Sequence, residues 1–166
     1  SSRPNCLTCT SDWAAHANDY QRIVGTVWDL HEAVLAAQAF VDRPGDDIDW
    51  SNTLLIVTAD HANSFLRLEK QLGKGQLPEQ HGKQYPNGEV SFRSGSHTNE
   101  LVRLYARGAE VEKFRKLEGA WYPCTRIIDN TQLFHLMAEV AGAPQRAALH
   151  ALPDQAACKA AAAVSH

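Results

Sequence analysis

Three short segments of this 166-residue chain combine acids and histidines in patterns that suit metal binding. In Asp12-Trp13-Ala14-Ala15-His16, a four-residue spacing on a helical turn sets a carboxylate and an imidazole on the same face, able to grip one ion. Thr58-Ala59-Asp60-His61 directly follows an aliphatic run, at the carboxyl end of a predicted strand, where open α/β sheets place their ligands. Ser96-His97-Thr98-Asn99-Glu100 precedes a second aliphatic run. Each segment has a plainer reading: Asp12 as a helix cap with His16 solvated beside it, Asp60-His61 as a turn, His97 as an ordinary surface residue. Taken together, Asp12, His16, Asp60, His61 and His97 supply five ligands of hard or borderline type, enough for one three-ligand zinc site and part of a second.

Other candidates have less company. Cys6-Leu7-Thr8-Cys9 has the spacing of half a zinc site or of a redox motif, but Cys124 and Cys158 stand alone and complete no second pair. His31, His81, His135, His150 and His166 lie outside these segments, lack such company and read as exposed or structural.

These segments need elements to hold them. Apolar residues at Ile23, Val27, Leu30, Val34, Ala37 and Val41 recur every three or four positions and predict an amphipathic helix that Pro44-Gly45 stops. Thr53 to Thr58 reads as a strand buried on both faces, and Leu101 to Ala106 as a second strand ending at Arg107-Gly108. Between them, residues 67 to 96 lose periodicity and collect glycine and proline, which predicts a long surface excursion. A capped helix should start near Asp129-Asn130, carry Leu133, Met137 and Val140 on one face, and end at Gly142 before Pro144. Helix followed by buried strand argues for an α/β fold, with a mostly parallel sheet flanked by helices.

Composition bounds the function classes. A formal charge of -3, from 19 acidic and 16 basic residues, gives no electrostatic footprint for nucleic acid. No stretch approaches the roughly twenty apolar residues of a membrane span, and the first residues have no apolar core of a secretory signal. The length suits one ordinary core and makes two independent domains a tight fit.

The segments also carry a resemblance. Asp12-Trp13-Ala14-Ala15-His16-Ala17, then Leu54 through Ala62, then Ser96 through Gly108, and finally Ile128-Asp129-Asn130-Thr131 resemble, in order and approximate separation, the carboxyl-terminal part of alkaline phosphatases. The resemblance covers residues 12–142. It implies an incomplete alkaline-phosphatase-like fold in which Asp12, His16 and His97 hold one zinc ion, Asp60 and His61 contribute to its neighbour, and the parent activity is hydrolysis of phosphate monoesters. It further implies a two-zinc site with magnesium nearby, a periplasmic or extracellular location, and a homodimer or a separate amino-terminal half as partner. Trp13 matches relatives of the Trp-bearing bacterial type. Asn63 stands where some relatives have a histidine behind the ligands, and its amide is expected to hydrogen-bond a ligating carboxylate such as Asp12.

The chain also departs from the family. The nucleophilic serine of these enzymes lies in an Asp-Ser-Ala segment, which does not occur here, and Ser51, Ser64, Ser91, Ser94 and Ser96 have other contexts. The magnesium-binding glutamate, five positions before the first zinc aspartate, is replaced by Leu7. Residues 1–11 are read as a leader outside the family, 12–142 as the phosphatase part, and 143–166 as an Ala-rich tail, so that the whole looks like a carboxyl-terminal fragment. Without nucleophile and phosphate-clamping arginine, the expectation is no turnover by this chain alone. The alternatives are a non-catalytic zinc-binding module and a phosphodiesterase of the same superfamily, which reuses a similar ligand order.

Overall fold

A computed structural model of the protein describes residues 7–143. Helix α1, Leu7–His16, takes in residues read from the sequence as a leader, and it places Asp12 inside the helix, where it cannot serve as the cap. After a turn in which Asn18 takes a left-handed φ of 53°, Asp19 caps α2, Tyr20–Val41, by accepting from the Arg22 N–H. The described strands are short: β1 Leu54–Val57, β2 Ala62–Asn63, β3 Arg67–Leu68, β4 Val90–Ser91, β5 His97–Thr98 and β6 Tyr105–Gly108. Helices α3, Glu112–Leu117, and α4, Asn130–Val140, follow.

Among the described residues, three two-stranded sheets stand in place of the expected mostly parallel sheet: β1 with β6, β2 with β5, and β3 with β4. The β2–β5 and β3–β4 pairs are antiparallel. Parallel neighbours are usually linked by a crossover helix, and the described chain between β1 and β6 contains no helix. β1 is half-buried along its length rather than enclosed on both faces, and β6 is its one described neighbour. The second predicted strand forms four residues later than expected, at Tyr105–Gly108, with Leu101 exposed.

The chain divides into two compact units, one running up to Asp47 and resuming over Ile56–Tyr105, the other made of Ile48–Leu55 and the chain from Ala106. In the first, α1 packs on α2 and Ala14 of α1 is buried, as is Val41 at the far end of α2. The predicted α2 stripe is only partly covered: Val41 is buried, whereas Val27 and Leu30 are exposed and Thr26 lies inward in their place. The 67–96 excursion is anchored by its polar groups, because the Tyr85 hydroxyl accepts from Tyr20 N at 2.8 Å and donates to Asn18 O at 2.6 Å. Gln80 adds bonds to Asp19 Oδ1 and from Gln21 N.

In the second unit, Phe114 of α3 and Leu136 of α4 are buried as those helices pack. Asp129 and Gln132 form a reciprocal capping box at the start of α4. The buried line of α4 is Gln132 and Leu136, so the expected face through Met137 is displaced and Met137 is exposed. Gly108 has a φ of +107°, and a Cβ there would sit 2.0 Å from Thr53 O, so glycine is required where β6 meets the chain entering β1.

Candidate metal centre

The candidate metal-binding segments converge within the first unit. One helical turn separates Asp12 from His16 on α1, and His16 Nε2 lies 3.5 Å from Asp12 Oδ2. His97 arrives from β5, which pairs with β2 so that Asn63 faces His97. Its Nε2 lies 3.2 Å from His16 Nε2 and 3.4 Å from Asp12 Oδ1. Zinc bonds of about 2.0–2.1 Å at tetrahedral angles require ligand atoms about 3.3–3.4 Å apart, which the three separations bracket. Asp12 meets the two histidines with different oxygens, so a single ion would take one of them after a small carboxylate rotation.

The ring hydrogen bonds set the tautomers. His16 Nδ1 lies 2.6 Å from Gly95 O, a carbonyl that can only accept, so Nδ1 carries the proton and Nε2 of a neutral ring presents its lone pair to the centre. His61 Nδ1 faces Ala62 O at 3.2 Å in the same sense. His61 Nε2 lies 3.5 Å from Asp60 Oδ2, and the His61 ring stacks on His97 with centroids 3.5 Å apart. Asp12, His61 and His97 also offer ligand atoms within 4.8 Å of one another, an alternative grouping that shares two residues with the first. The Asp12–His16–His97 set has separations of 3.2–3.5 Å, and the stacked His61 ring places a further imidazole beside it. Asp60 is 87% exposed at its side chain, open to ligands from elsewhere.

Around the ligands, Asn63 Nδ2 donates to Asp12 Oδ1 at 2.7 Å, the contact expected of it, holding one carboxylate oxygen while the other stays available. Trp13 is exposed on α1. Sequence reasoning missed two residues here. Gly95 orients His16 through its carbonyl, and Ser64, fully buried, donates its hydroxyl to Ala15 O at 2.5 Å. No residue-type signal marks a backbone carbonyl, and burial gives Ser64 a structural contact in place of any nucleophilic role. His81 pairs with Glu79 at 3.0 Å and His31 lies beside Trp28, both away from the ligands, while His150, His166 and the Ala-rich tail lie outside the described residues.

The chain is similar to two solved structures of TAB5 alkaline phosphatase, a histidine-to-aspartate and a histidine-to-glutamate variant, each with magnesium bound in the M3 site of that protein. Identity is 26% and 25%, the TM-score is 0.56 for each, and the match covers 82% of this chain. The chain resembles alkaline phosphatase. It spans 34% of the length of those phosphatase chains. No protein-family model and no curated protein matches it by sequence. The alkaline-phosphatase likeness rests on 3D structure together with the metal-binding segments, and it does not assign a particular type of the enzyme.

Proposed function

We propose that this chain carries the metal-binding part of a phosphomonoesterase of the alkaline phosphatase kind, with Asp12, His16 and His97 holding one zinc ion and Asp60 and His61 contributing to a second. The observation that supports it most is the convergence of His16 Nε2, His97 Nε2 and the Asp12 carboxylate at tetrahedral-edge separations, from residues up to 85 positions apart in the chain. Zinc bound there would polarise the phosphoryl oxygens and make a coordinated water acidic enough to act near neutral pH. The residues of the chain prepare that site: Gly95 fixes the His16 tautomer, Asn63 aligns the carboxylate, and exposed Asp60 leaves the second position open.

The nucleophilic serine of the family is not supplied by any Asp-Ser-Ala in these 166 residues, and the magnesium-binding position is Leu7. A complete site therefore needs residues from a further polypeptide segment, whether an amino-terminal half or a partner subunit. A periplasmic or extracellular location is part of the proposal and follows from the alkaline-phosphatase likeness.

The test is nitrophenyl phosphate hydrolysis at alkaline pH with zinc and magnesium. The lone chain should stay near metal-promoted background. Adding a polypeptide that carries Asp-Ser-Ala should restore turnover that depends on Asp60 and His61. Strong turnover by the lone chain, lost in His97→Ala, would show a nucleophile within it and overturn this division of the site; an inactive mixture whose components bind zinc and associate would favour the non-catalytic module.

A further inference from the structure

We infer that Ser64 is a positioning residue for the metal centre, the joint that holds its three ligand-bearing segments in register; the inference rests on the zinc site proposed above. Every polar group of Ser64 is committed to that task. Its hydroxyl donates to Ala15 O at 2.5 Å, on α1 between Asp12 and His16. Its N–H donates to Ser96 O at 2.9 Å, one residue before His97. Its carbonyl accepts from Arg93 N at 3.1 Å and Ser94 N at 3.2 Å, the start of the turn whose Gly95 carbonyl orients His16. Ser64 itself follows the Asp60-His61-Ala62-Asn63 segment, and its hydroxyl also lies 3.0 Å from Asn63 Oδ1, the amide that holds Asp12.

The backbone at this joint is unusual. Ser64 has φ +68° and Phe65 φ +53°, two consecutive left-handed residues without glycine. Such conformations are disfavoured for L-residues and persist where surrounding bonds over-determine them. Here the left-handed turn lets one residue face α1 with its hydroxyl while its carbonyl and N–H reach the 93–96 segment. Burial completes the argument: at 0% exposure solvent cannot substitute for the hydroxyl, so deleting it removes the tie between residue 64 and α1 and leaves Ala15 O with the local donation from Asn18 N. The distance between the Asp12–His16 pair and His97 then depends on weaker restraints.

Cobalt(II) is the probe, because its visible absorption reports coordination geometry, with zinc competition giving affinity. Ser64→Ala and Ser64→Gly should each weaken metal binding by about tenfold or more, as loss of a group supporting metal ligands typically does. Both should also shift the cobalt bands away from the parental pattern. Ser64→Gly has no Cβ at the positive φ and keeps the test open where Ser64→Ala does not fold. Parental affinity and parental cobalt bands in the variants, even with a lowered melting temperature in chelator, would reduce Ser64 to a general stability role and overturn the inference. A parental chain that binds neither metal overturns the proposed zinc site itself, a result visible before any Ser64 variant is made.

Discussion

Replacing His16 by alanine and, separately, His61 by alanine distinguishes the two ligand groupings that the geometry allows. In the favoured grouping, the first ion takes Asp12, His16 and His97, whose ligand atoms lie 3.2–3.5 Å apart. Structural zinc sites with four ligands bind with apparent free energies of about 10–16 kcal/mol, or roughly 2.5–4 kcal/mol per ligand. At about 1.4 kcal/mol per decade, losing one ligand should weaken the first ion by roughly 100-fold or more. His16→Ala should show that loss, together with loss of the His16–Gly95 hydrogen bond. His61→Ala removes a ring stacked on His97 and a ligand of the neighbouring ion, so the affinity for the first ion should stay within about threefold. Competition titration against a zinc-chelating dye measures both constants, with melting temperatures in chelator to establish that each variant is folded. A 100-fold loss in His61→Ala with His16→Ala unaffected would refute the favoured grouping and select Asp12, His61 and His97.

Other consequences concern the second unit. Asp129→Ala, which removes the cap of α4, should cost about 1 kcal/mol in denaturant unfolding. The Asp129 carboxyl is held below its usual range by the Thr131 hydroxyl and N–H, so its charge-linked stability is full above the unfolded carboxylate range of about 3.9 and is lost as pH falls through the lower folded value. Asp129→Asn, which keeps a capping oxygen but cannot titrate, should flatten that part of the acid-stability curve; an unchanged curve would contradict the assignment. Gly108→Ala should prevent native folding of the β1–β6 junction, because its Cβ would meet Thr53 O at 2.0 Å, and a parental circular dichroism melt would disprove the close approach. Phe114→Ala, at a buried position between α3 and α4, should cost about 3–5 kcal/mol in unfolding, and a loss below about 1 kcal/mol would mean that this contact does not hold the unit together.

Local chemistry was legible in the residues themselves. The Asp12–His16 spacing has one geometric meaning once a helix forms, because i and i+4 share a face, and α1 supplies that helix. The Asp129–Gln132 capping box and the stop of α2 before Pro44-Gly45 are likewise local signals, decided within a few residues by backbone donors and allowed φ values. Periodicity was a poorer guide to burial. It located α2 and α4, but which stripe lies inward depends on what packs there, so Val27, Leu30 and Met137 are exposed while Thr26 and Gln132 are buried. Sheet topology was out of reach for the same reason: strands of two to four residues have almost no intrinsic preference, and only the long-range return of the chain made β2–β5 and β3–β4 antiparallel. Tertiary structure alone brought His97 to His16 across 81 positions and gave Gly95 and Ser64 their roles, because a backbone carbonyl or a buried hydroxyl acquires function only through the partner that folding places beside it.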